Sequence, residues 1–73
     1  MSTAETFVQL GKEARANLRG KDLAEVIADI VYRIDCEAMA IINLPDGSKS
    51  YRCYDGSCVN VNGTAVTLAE EFA

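Results

Sequence analysis

Leu44-Pro45-Asp46-Gly47-Ser48 is followed nine residues later by Cys53-Tyr54-Asp55-Gly56-Ser57. Both stretches end in Asp-Gly-Ser, and apolar or alternating residues flank both. Asp-Gly between such runs is the strongest short-range hairpin signal a sequence carries. Two copies in this spacing predict a strand-turn-strand-turn-strand meander.

Register decides what the meander buries. A two-residue loop at Asp55-Gly56 sets Cys53 opposite Cys58. A three-residue loop, Tyr54-Asp55-Gly56, is a type I turn with Gly56 in a bulge, and it sends the two thiols to opposite faces. A one-residue slip reverses every side chain, so the hydrophobic pattern arbitrates. The three-residue register gathers Tyr51, Cys53, Val59 and Val61 on one face. In the first hairpin Pro45 suits the second position of a type I turn and lacks the N–H that a two-residue loop needs from it. With Pro45-Asp46-Gly47 as that loop, Ile41 pairs with Tyr51 and Met39 with Cys53. The expected covered face is Met39, Ile41, Tyr51, Cys53, Val59 and Val61. The other face shows Ala38, Ala40, Ile42, Ser50, Arg52, Tyr54, Cys58 and Asn60.

Two helices are expected before the meander. Ser2 or Thr3 caps the first, with Glu5 three residues after Ser2 completing a capping box. Phe7, Leu10, Ala14 and Leu18 form its apolar stripe. Gly11 suggests a close helix crossing, and Gly20 ends the helix as a left-handed C′ residue. Asp22 opens the second helix, whose buried positions are Leu23, Val26, Ile27, Ile30, Val31 and Ile34. Beyond the meander, Asn62-Gly63 marks another turn, with a short strand from Thr64 to Thr67. Thr67 with Glu70 is then placed to cap a helical turn that tucks Phe72 inward. The expected fold is α+β, a single domain over 1–73. Its N-terminal antiparallel helical hairpin packs on one face of a three- or four-stranded antiparallel β-meander.

At 73 residues one core supplies little net stability, and such chains often add a staple or a partner subunit. No apolar run approaches the length of a membrane span, and the N-terminus lacks the pattern of a signal peptide. A cytoplasmic protein with reduced cysteines is expected.

The net charge of −4 is unevenly distributed. Residues 1–21 hold four cations against two carboxylates. Residues 22–37 hold five carboxylates against Arg33 alone. An acidic chain is repelled by nucleic-acid phosphates and steered towards basic protein surfaces. Direct nucleic-acid binding is therefore not expected.

There is no histidine, which removes the commonest general base and metal ligand. Cys53-x4-Cys58 with Cys36 and Asp55 is a conceivable zinc set. Structural zinc sites usually pair a tighter Cys motif with a second one, which is missing here. A Cys53–Cys58 disulfide is the second alternative, and three free thiols is the preferred reading. Asp46 and Asp55 read as turn residues. No phosphate loop, nucleophile elbow or catalytic carboxylate pair is present. The expected protein is not an enzyme and needs no cofactor or metal.

Two segments have binding character. Asp22, Glu25 and Asp29 share one helical stripe, with Asp29 placed to pair with Arg33. Arg52 and Tyr54 are residue types enriched at interface hot spots. In size, acidity and lack of catalytic groups the chain resembles the small accessory proteins that bacteriophages direct at host systems, including anti-CRISPR inhibitors. That resemblance implies an inhibitor whose Asp22, Glu25, Asp29, Arg52 and Tyr54 dock on the nucleic-acid-binding surface of a larger, basic partner. The alternative is a self-associating structural or regulatory subunit, a homodimer through the Ile42 face.

Overall fold

The computed structural model describes residues 1–70 and contains two helices followed by four strands. They are α1 (Thr3–Asn17), α2 (Gly20–Glu37), β1 (Ala38–Asn43), β2 (Lys49–Cys53), β3 (Cys58–Asn62) and β4 (Ala65–Ala69). The strands form one antiparallel sheet in the order β1-β2-β3-β4. The α+β architecture with an N-terminal helical pair is the expected one, and the sheet has four strands.

Both Asp-Gly-Ser turns are three-residue loops. Leu44 N–H donates to Ser48 O and Gly47 N–H to Leu44 O. Cys53 N–H donates to Ser57 O and Gly56 N–H to Cys53 O in the same way. Gly47 and Gly56 sit at φ of 90° and 88°, which a side chain would disfavour. The register follows: Ile41 pairs with Tyr51, and Tyr51 with Val59. Cys53 and Cys58 point to opposite faces, and all three cysteines are free.

The helices cover the face that carries Tyr51, Val59 and Val66. α1 packs on β3 and β4, and α2 on β2. Ala4, Phe7, Val8 and Ala14 of α1 join Ile27, Ile30 and Ile34 of α2 in this core. The Ser2–Glu5 capping box forms as expected.

Several expectations are corrected. Met39 does not pair with Cys53: a bulge makes Ala38 the partner and leaves Met39 54% exposed. Ile41 has the expected register but is 48% exposed. α2 runs into β1 without a connecting residue and lies over β2, so β1 projects beyond the helical layer. Val26 is on the solvent side of α2. Asp22 does not open α2. The helix starts at Gly20 behind Arg19, with no side-chain cap, and the left-handed Gly20 (φ 56°) begins it rather than ending α1. Thr67 lies inside β4, so no helical turn begins there. The expected placement of Phe72 lies outside the described residues.

Gly11 reflects a close approach to a strand, not to the other helix. A Cβ built there would stand 3.1 Å from Val66 Cβ. Gly11→Val is therefore expected to destabilise the fold by about 1–3 kcal/mol, the usual cost of overpacking. Denaturant unfolding measures it, and adding Val66→Ala should recover part of the loss.

Candidate functional site

The second Asp-Gly-Ser turn ties both helices to the sheet. Asp55 Oδ1 accepts from the Ser57 N–H and hydroxyl. Its other oxygen accepts from Thr3 N–H at 2.8 Å, while Ser57 Oγ accepts from Ala4 N–H at 3.0 Å. These are first-turn N–H groups of α1, which have no partner within the helix. The turn thus acts as a tertiary cap, and its carboxylate lies at the positive end of the helix dipole. The bonds from Ser57, then Thr3, hold the Asp55 carboxyl well below the ordinary carboxylate range. On the other side Tyr54 N–H donates to Glu37 O at the end of α2. Asp46 repeats the bond pattern with Ser48, which likewise lowers its pKa. No helix N-terminus donates to Asp46 among the described residues.

The two turns address opposite faces. Ser48 and Cys53, at either end of β2, are an odd number of residues apart, so their side chains alternate to opposite sides. Cys53 and Ser57 lie on the helix side, where Ser57 meets α1. Lys49 lies beside Tyr51 against α2, which places its neighbour Ser48 on the outer side.

The predicted site residues divide accordingly. Asp22, Glu25 and Asp29 are exposed on α2. Their stripe lies opposite the buried Ile27, Ile30 and Ile34, so it faces away from the sheet. Asp29 pairs with Arg33 at 3.4 Å, an exposed pair that contributes little to stability. Arg52 alternates with the buried Tyr51 and Cys53, so it projects from the sheet face without helices. Tyr54 lies in the β2–β3 turn and is 71% exposed. The acidic stripe and Arg52 are therefore on opposite sides of the molecule and do not form one contact surface.

Sequence reasoning missed Tyr32. It is 68% exposed and lies one turn beyond Asp29 and two beyond Glu25 on the same side of α2. The i+3 and i+7 spacing was there to be read. An exposed aromatic flanked by carboxylates combines an anchor with a steering field.

Between α2 and the sheet runs an apolar groove of about 400 Å³, lined by Ala24, Ile27, Ala28, Val31, Tyr51 and Val61 among others. The Tyr51 ring is fully buried, and its hydroxyl has no hydrogen-bond partner among the described residues. Burial, and then the neighbouring Asp35 carboxylate, push its pKa up. Among the described residues no group of three or more His, Cys, Asp or Glu is placed to hold a metal ion. No described helix is long and apolar enough to cross a membrane. Comparison with family models, curated proteins and solved structures finds no match to this chain.

Two measurements check this geometry. Asp55 has a depressed folded-state pKa, so its stabilisation is complete above the ordinary value of 3.8 and is lost as the pH falls below it. Asp55→Asn should lower Tm near neutral pH and flatten the acid limb of a circular-dichroism titration. The cysteines should also separate by access. Cys36 is exposed, while Cys53 is buried and its thiol pKa is raised, chiefly by burial and then by Asp55. Iodoacetamide should label Cys36 in the native protein, with Cys53 and Cys58 labelled only on unfolding, as mass spectrometry will read.

Proposed function

We propose that this protein is a non-enzymatic interaction protein that docks the solvent face of α2 on a basic surface of a larger protein. Inhibition of a nucleic-acid-binding partner, of the anti-CRISPR type, is the role this reading favours. The observation that carries it is the exposed Tyr32 standing in line with Glu25 and Asp29, with Asp22 a turn further back. Carboxylates on that face present to the partner's cations the charge that phosphates would otherwise supply. They steer the encounter, and the tyrosine supplies desolvated contact area once docked. The stripe occupies a rigid helix whose opposite side is anchored by three buried isoleucines, so docking orders little that is not already ordered.

The test is affinity capture from host lysate, with the retained protein identified and its nucleic-acid binding measured with and without this chain. Asp22→Lys/Glu25→Lys/Asp29→Lys should weaken capture about tenfold or more, and Tyr32→Ala comparably. Added salt or a polyanion such as heparin should release the partner. Capture that is unchanged by the triple substitution and insensitive to salt would show the reading to be wrong.

A further inference from the structure

One face of the sheet is covered by neither α1 nor α2. It presents Ala40 and Ile42 from β1, Ser50 and Arg52 from β2, Cys58 and Asn60 from β3, and Thr67 from β4. Most of these side chains are small. At the centre of this face Ser50 is fully buried, yet its Oγ has no hydrogen-bond partner among the described residues. Asn60, directly opposite Ser50 on β3, has a buried Oδ1 that is likewise unpartnered among the described residues. Two unpartnered buried polar atoms at the middle of an open face are an exception to the rule that such atoms are paired.

The charges on this face lie at its ends. Asp46 stands at the β1–β2 turn, beyond Ser48, with one carboxylate oxygen committed to Ser48. Its counterpart Asp55 uses both oxygens, the second on the α1 N-terminus. Arg52 stands at the other end of β2, about 13 Å from Ser48 at the strand rise. Arg52 forms no salt bridge among the described residues.

We propose that two copies of this chain pack outer face to outer face about a two-fold axis, with each Arg52 on the other's Asp46. The pattern selects the axis. A two-fold axis along the strands sets Arg52 against Arg52, whereas one in the interface plane and perpendicular to β2 sets Arg52 against Asp46 twice. The second axis passes at the level of Ser50, midway between the two charges. It brings Ile42 against Ile42 and Asn60 against Asn60, like against like at the level of the axis. Such an isologous contact closes at two subunits. Four strands of about five residues make a face of about 19 × 17 Å. In plan that is about 320 Å² per copy and about 650 Å² over both, so the contact is small and the dimer weak and concentration-dependent. The α2 stripe is on the far side of each copy, so this contact leaves the proposed partner surface open and does not depend on it.

Analytical ultracentrifugation of the full chain under reducing conditions is the test. The wild type should pass from monomer to dimer across the micromolar range. Arg52→Glu alone and Asp46→Lys alone should each weaken association about tenfold or more, by placing like charges together twice. An equimolar mixture of the two variants should form a heterodimer, because both contacts are then opposite in sign. Asp46 also shapes its turn, so Ile42→Asp provides a variant clear of it and should be monomeric. The acidic-stripe triple variant should dimerise like the wild type. A wild type that stays monomeric into the millimolar range, or dimerisation that Ile42→Asp leaves unchanged, overturns the proposal. So does a stripe variant that loses the dimer, or a failure of two folded charge variants to pair.

Discussion

Everything in this fold hangs from the turn at Tyr54-Asp55-Gly56-Ser57. One carboxylate accepts from its own turn and from the first turn of α1. The serine beside it takes a second helix N–H, and the backbone at Tyr54 binds the last carbonyl of α2. A short turn therefore fixes where one helix begins and where the other ends. The apolar stripes of the two helices then have one sheet face to cover, with Tyr51, Val59 and Val66 at its centre. The hydrophobic effect supplies the driving force, but it is non-directional. The capped turn supplies the direction.

The same constraint partitions the surface. Because both helices are tied to one face, the acidic side of α2 and the Arg52 side of the sheet are held apart. A 73-residue chain has little interior to spare, so a functional surface is more readily placed on a rigid exterior face than in a cleft. The groove beneath α2 is lined mainly by aliphatic side chains and glycines, and the chain has no histidine to serve as a base.

Much of this was legible in the sequence. The loop lengths followed from Pro45 and from the alternation around Tyr51 and Val59, because side-chain parity leaves one self-consistent register. The Ser2–Glu5 cap was legible because capping is local. What was not legible depends on how elements meet in space. Nothing local distinguishes Asp55, which caps a distant helix, from Asp46, which does not. Gly11 announced a close contact without naming Val66 as the neighbour. The exposure of Met39 and Ile41 follows from α2 lying over β2 rather than β1, which pattern alone does not specify. The stripe of Asp22, Glu25 and Asp29 is legible as charge, whereas an aromatic such as Tyr32 at helical spacing fits a buried position as well as an exposed one.

The order of the strands has a kinetic corollary. Each strand pairs with its neighbour in sequence, so the sheet forms through short loop closures. The bonds from Thr3 and Ala4 to Asp55 and Ser57 instead close 52 and 53 residues of chain. The entropy of that long closure is shared with α2, which joins α1 across two residues and packs on β2. The N-terminus of α1 therefore holds the bonds of longest sequence span described in this fold, and they form only once the second turn is in place.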